Sequence, residues 1–161
     1  MMLRTIAFCL ITLISVAPAQ AGFVDMFNGV TVGAQLPKND LVFLGATPST
    51  ESNVRLIDFW ATTCAPCRTS IPKLNALHQK YASKGLLMIG VSEESKETVT
   101  SFLEKVPMHY ASAVEGTHSL HKALRIRALP YAIFVDHSGT IIWRGQPSEI
   151  TEQLIESLLP K

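Results

Sequence analysis

From Val54 to Ala61 the chain is apolar at nearly every position, the pattern of a strand buried on both faces. Directly behind it the period changes. Ile71, Leu74, Leu77, His78 and Tyr81 recur at spacings of three and four, which predicts a helix from about Ala65 to Ser83 with one core-facing stripe. Pro72 inside it predicts a kink, and Gly85 predicts the stop. Leu86 to Val91 is the next strand, completing a strand–helix–strand unit whose strands should run parallel. Ser95 to Val106 predicts a second helix, capped by Ser95, with Val99, Phe102, Leu103 and Val106 on its apolar face. Tyr110 to Val114 is a weak strand and Thr117 to Leu124 a short helix. Ala132 to Val135 and Thr140 to Trp143 form a hairpin about Asp136-His137-Ser138-Gly139, and Ser148 to Leu159 closes with an amphipathic helix. From the central strand on, the order is β–α–β–α–β–α–β–β–α. This is an α/β fold, a mixed central sheet with helices on both faces.

The segments ahead of the central strand are weaker. Gly22 to Gly33 has no period and reads as a loose arm packing on the domain, Gly33 to Pro37 as a turn, Leu41 to Leu44 as a short strand, and Ala46 to Asn53 as a polar loop. The first residues read as an address rather than as structure. Arg4 precedes an apolar run from Ile6 to Ala17, and Pro18-Ala19-Gln20-Ala21 has the small–x–small pattern of a signal peptidase site, so residues 1–21 are expected to be a signal peptide cleaved before Gly22. The run is too short for a permanent span, and an uncleaved anchor is the alternative. Residues 22–161, roughly 140 in number, then make one domain. The formal net charge of +1 comes with no basic stripe, which argues against a nucleic-acid partner. Of three cysteines, Cys9 leaves with the signal. An exported chain with one remaining pair is not a disulfide-stapled scaffold.

That pair, Cys64-Ala65-Pro66-Cys67, sits where the central strand hands over to a helix. A helix N-terminus carries unpaired N–H groups and about half a unit of positive charge, which favours the reactive thiolate over the thiol. Pro66 suits the first turn, where no N–H is needed. Cys64 reads as the attacking thiol and Cys67 as the resolving one. A purely structural disulfide here would close a tiny loop worth roughly 2 kcal/mol. A zinc site needs two more ligands, and nothing brings His118 and His121 close. The spacing of those two histidines suits a metal, but a solvated helix face is the better reading. His78 reads as a packing histidine. No cofactor or metal is expected.

These residues resemble the thioredoxin superfamily. Asp58-Phe59-Trp60-Ala61 with Cys64-Ala65-Pro66-Cys67 is similar to its strand-end and active-site pattern. Ala128-Leu129-Pro130 before Tyr131-Ala132-Ile133-Phe134-Val135-Asp136 is similar to its cis-proline loop and antiparallel hairpin. The signal peptide, the lead and the insert through Glu94-Ser95-Lys96 look most like the periplasmic TlpA/ResA-like thiol–disulfide oxidoreductases. The resemblance implies a thioredoxin-like fold, a Cys64–Cys67 disulfide in the oxidised state, and a cis Pro130 beside it. It implies that the backbone at Leu129, with Ala65 and Pro66, meets an extended substrate segment. It also implies protein disulfides as substrates (apocytochrome c or a copper-delivery protein), a membrane electron donor of the DsbD or CcdA type, and a periplasmic location. A monomer is the default.

Two acids complete the candidate site. Asp58 interrupts an apolar strand, and a buried carboxylate titrates high enough to accept a proton near neutral pH. It matches the buried acid of thioredoxins, in the role of deprotonating Cys67. Glu94 follows the strand Leu86 to Val91 at its C-terminal end, where open α/β sheets place their sites, and aligns with an active-site glutamate of the ResA-like group. Glu93 beside it competes for that position. Thr63 replaces a common Trp, which removes an apolar rim from the docking surface, and Tyr131 replaces a common Thr. Trp60 is expected to pack beneath the site. The exchange chemistry runs in either direction, so a disulfide-introducing oxidant is the first alternative. A Cu(I)-binding module on the same thiols, with Met108 or His109 added, is the second. A peroxidase is a weaker third reading, since no second reactive-cysteine context supports one.

Overall fold

The computed structural model describes residues 28–49, 52–117 and 119–160. The signal segment, Cys9, the arm before Asn28 and His118 lie outside the described residues. The strands are β1 (Val42–Phe43), β2 (Val54–Phe59), β3 (Leu86–Ser92), β4 (Ala111–Val114), β5 (Tyr131–Asp136) and β6 (Ile141–Gly145). The helices are α1 (Ala65–Tyr81), α2 (Lys96–Leu103), α3 (Leu120–Ala123) and α4 (Glu152–Leu158). The sheet order is β1-β4-β3-β2-β5-β6, with β2, β3 and β4 parallel and β1, β5 and β6 antiparallel to their neighbours. The expected mixed sheet is therefore the observed one, with β2 at its centre.

Alternation along β2 sorts the core into two layers. Val54 and Leu56 face Leu74, Leu77 and Tyr81 of α1 and Ile155 of α4. Ile57 and Phe59 face Leu120 and Leu124 on the other side, together with Ile89, Val91 and Ile133. Asp58 shares the parity of Val54 and Leu56 and so belongs to the α1 side. A third, smaller cluster joins Trp60, Cys67, Val99 and Val114 at the end of the sheet, with Leu129, Met108 and Cys64 packed against it.

Several boundaries move from the sequence reading. Helix α1 runs through Pro72 unbroken, and a 3₁₀ turn at Ala82–Lys84 carries the chain to Gly85, whose φ of 93° ends the helical run. Helix α2 stops at Leu103 rather than Val106, since Val106 precedes Pro107 and is biased away from helical backbone. The closing helix divides. A 3₁₀ turn at Pro147–Glu149 gives way to extended backbone at Ile150, and Thr151 caps α4 by accepting from the Leu154 N–H. The short helix near Thr117 covers only Leu120–Ala123, capped by Ser119.

Over the residues described, the lead packs on the domain, as expected, and is tied to it by backbone hydrogen bonds. Val30 is buried, the Gly33 N–H donates to the Ile141 carbonyl at 2.8 Å, and the Ile141 N–H donates to the Ala34 carbonyl at 2.9 Å. Arg144 Nη1 donates to the Val30 carbonyl at 2.8 Å. The physical reason is the edge strand: β6 presents unpaired backbone groups, and the lead covers them. His121 corrects the sequence reading. It is 4% exposed, not on a solvated face, and its Nδ1 lies 2.7 Å from Glu115 Oε1. Glu115 also accepts from the Leu120 and His121 N–H groups, so one carboxylate ties the start of α3 to the end of β4. The His121 ring fills core space edge-on to Phe59, with ring centroids 4.9 Å apart.

Candidate active site

Cys64 and Cys67 form a disulfide at the start of α1, their Cα atoms 5.3 Å apart. Cys64 is the helix cap: its backbone is extended, and its Sγ accepts from the Cys67 N–H at 3.3 Å. A thiolate at Cys64 meets that same N–H and the positive end of the helix. Cys64 is partly exposed, flanked by exposed Thr63, Ala65 and Pro66, while Cys67 is 3% exposed. The pair thus has one sulfur that a large molecule can reach and one held inside.

The proline loop arrives from the other half of the chain. The Leu129–Pro130 bond is cis, and Leu129 packs against the cluster that holds both cysteines. Asn28 fastens this loop from the lead. Its Oδ1 accepts from the N–H groups of Arg127 at 2.6 Å and Ala128 at 3.2 Å, and its Nδ2 donates to the Ala128 carbonyl at 3.3 Å. The sequence reading missed Asn28, since nothing local announces a partner about 100 residues away. Of the two departures from the family pattern, Tyr131 is fully buried core and Thr63 is exposed beside Cys64. Trp60 is 1% exposed and tilts against Phe102 at 5.5 Å between ring centroids.

The two acids occupy different settings. Asp58 is 4% exposed, and burial raises its pKa from 3.8 to about 7, against the opposing hydrogen bond from Tyr110. Tyr110 Oη donates to Asp58 Oδ2 at 3.2 Å. In the sequence Tyr110 only opens a weak strand, and nothing in its own neighbourhood marks it as the partner of a buried acid. Glu94, rather than exposed Glu93, turns to the loop ahead of Cys64. Its carboxylate accepts from Thr62 N and Thr62 Oγ1, both at 2.6 Å, and from Ser92 Oγ at 3.1 Å. Glu94 therefore holds the Ala61–Thr63 turn that presents Cys64. Glu94→Ala is expected to lower the disulfide-exchange rate about tenfold, because a nucleophile whose supporting turn is loose loses orientation. It should lower stability by about 1 kcal/mol, since water reaches the half-buried donors it leaves. Exchange kinetics and urea unfolding check both; an unchanged rate would remove Glu94 from the positioning of Cys64.

Met108 packs into the cysteine cluster, whereas His109 is exposed. Among the described residues no group of three or more His, Cys, Asp or Glu side chains is placed to hold a metal ion. None of the described helices is long and apolar enough to cross a membrane.

A family model described as Redoxin matches residues 39–159. The thiol-disulfide oxidoreductase ResA of Bacillus thuringiensis subsp. konkukian is 28% identical over 103 residues, 63% of this chain and 60% of that protein. The matched stretch is thus less than two thirds of that relative's length. ResA of Geobacillus kaustophilus is 26% identical over 141 residues, covering 83% of this chain and 81% of the relative. A solved structure from Chlorobium tepidum, described as a putative thiol:disulfide interchange protein DsbE, superposes with a TM-score of 0.69. It is 23% identical and covers 81% of this chain and 99% of its own, a likeness of fold. With about three quarters of its length matched by the family model, the chain belongs to the Redoxin family, as a TlpA/ResA-like member of the thioredoxin superfamily.

Proposed function

We propose that the protein is an exported thiol–disulfide oxidoreductase that reduces disulfides of partner proteins through Cys64 and Cys67. The observation that carries this reading is the asymmetry of the pair. Cys64 caps α1 within reach of solvent, and Cys67 lies buried one turn inside. The Cys64 thiolate attacks one sulfur of a substrate disulfide and expels the other as a thiolate, giving a mixed disulfide. Asp58 takes the proton from Cys67, whose sulfur then attacks Cys64, and the reduced substrate departs. Two electrons have passed to the substrate and Cys64–Cys67 is oxidised. Leu129, with Ala65 and Pro66, forms the surface on which an extended substrate segment lies, and the buried cis Pro130 fixes the backbone that follows Leu129.

The apolar run from Ile6 to Ala17 and the Pro18-Ala19-Gln20-Ala21 pattern support export, with residues 22–161 as the working domain in the periplasm. Net reduction in an oxidising compartment needs electrons from outside it, which supports a membrane donor of the DsbD or CcdA type. Apocytochrome c and copper-delivery proteins are the substrates that the family resemblance suggests. The reduction potential of the Cys64–Cys67 pair, equilibrated with glutathione or dithiothreitol at neutral pH, tests the direction. A value at or below about −220 mV is expected for a reductant, and one near −120 mV would make the protein an oxidant instead.

One observation favours a second reading. Met108 brings a soft thioether to the cluster that holds both thiols, a donor set suited to Cu(I). Stoichiometric copper in protein purified under reducing conditions would support it, and a metal-free protein that exchanges disulfides would dismiss it.

A further inference from the structure

We propose that the Tyr110 hydroxyl is the positioning group that orients the Asp58 carboxyl and stabilises its anion beneath the dithiol. The inference rests on the reading of Asp58 as the proton acceptor for Cys67. Asp58 lies in the middle of the sheet, opposite Gly90 of β3 and Ala132 of β5, and neither neighbour carries a polar side chain. The partner comes from outside the ladder. Tyr110 precedes β4, is 5% exposed, and places its Oη 3.2 Å from Asp58 Oδ2.

Gly90 is what admits it. A Cβ at that position would lie 3.3 Å from Tyr110 Cε2, 3.1 Å from Trp60 Nε1 and 2.8 Å from Met108 Cε. A side chain there would compete with the tyrosine ring for the same space. The ring is also fastened to the helix that carries the cysteines. Asn75 of α1 donates from Nδ2 to the Pro107 carbonyl at 3.0 Å and accepts at Oδ1 from the His109 N–H at 2.7 Å, pinning the segment that leads into Tyr110. Acid, phenol and dithiol helix are thus held as one unit.

The chemistry follows from the donor. A phenol O–H stabilises a buried carboxylate by a hydrogen bond to the charged form, while burial acts the other way and is the larger effect. Tyr110 engages Oδ2 and so fixes the plane of the carboxyl that, as proton acceptor, serves Cys67. The remaining titratable groups nearby are few. His78 of α1 lies 6.3 Å from Tyr110 between ring centroids, and burial and His109 both push its pKa below 6.5, so it is mainly neutral at pH 7. Opposite the acid, β3 and β5 contribute only Gly90 and Ala132, neither of which titrates.

The test follows the carboxyl carbon of Asp58 by ¹³C NMR across pH in the oxidised protein, where neither cysteine titrates. Tyr110→Phe removes the hydroxyl and keeps the ring; the midpoint of Asp58 is expected to rise by about one pH unit. Replacing Tyr110 with 3-fluorotyrosine keeps the shape and strengthens the donor, and the midpoint is expected to fall. Midpoints equal to that of the unmodified protein in both variants would overturn the proposal. Where Tyr110→Phe fails to fold, the fluorotyrosine protein decides alone: a lowered midpoint supports the proposal and an unchanged one overturns it. The pH dependence of Cys67-driven resolution of a mixed disulfide should move with the carboxyl. If the carboxyl midpoint moves and that profile stays, the role of Tyr110 stands, and the reading of Asp58 as proton acceptor falls.

Discussion

Asp58→Asn is expected to stabilise the folded protein by roughly 2–4 kcal/mol at pH 8 and to have little effect near pH 4. Burial moves this carboxyl from 3.8 in an open chain to about 7 in the fold. Between those values the folded state binds the extra proton, so stability falls as pH rises through the interval and is constant above it. Each decade of proton affinity is worth about 1.4 kcal/mol, which sets the upper end of the range. Asparagine escapes that penalty and still accepts from Tyr110, although its amide hydrogens gain no ready acceptor in the core, which sets the lower end. Urea unfolding at the two pH values measures the difference. A gain of equal size at both would mean that a buried charge is not its source. The same variant should slow resolution by Cys67 at neutral pH, the usual relation between a strained functional group and stability.

Cys64→Ser and Cys67→Ser are expected to fail in different ways. Without the Cys64 thiolate there is no nucleophile at the solvent-facing position, and turnover of an insulin-type disulfide should fall by at least about 10³-fold, to background. Cys67→Ser keeps the nucleophile and removes the group that expels the substrate. It should accumulate a covalent mixed disulfide on Cys64, visible by mass spectrometry without reductant and released by dithiothreitol. The reasoning rests on geometry: Cys64 is partly exposed and capped by the Cys67 N–H, and Cys67 is closed in by Trp60 and Val99. A mixed disulfide trapped by Cys64→Ser instead would exchange the two roles. Wild-type turnover in either variant would end the dithiol mechanism altogether.

Much of the architecture is settled between neighbouring residues and can be read along the chain. The apolar run of β2, the change to a period of three and four in α1, the cap position of Cys64 and the turn at Gly85 each depend on a short stretch of chain, because strand burial, helix capping and turn backbone are local. So the dithiol at a helix start, the mixed sheet and the hairpin after Pro130 were legible. Boundaries were less so where two local signals compete, as at Ile150 and Thr151, where a cap interrupts an otherwise helical pattern. The solvated reading of His121 failed for a different reason. Glu115 holds its Nδ1, which offsets much of the cost of burying the ring, although the buried Nε2 has no partner.

The surroundings of the sulfurs are set instead by contacts between distant parts of the chain. Tyr110 meets Asp58 across 52 positions, Glu94 meets Thr62 across 32, and Asn28 meets Ala128 across 100. Each hydrogen bond has at least one partner unremarkable in its own neighbourhood, and the pairing exists only because the parallel crossover, the sheet register and the edge-covering lead bring the two together. Long-range polar contacts leave no period in a sequence. A buried acid can be recognised as out of place from the chain alone, but the group that compensates it is chosen by packing.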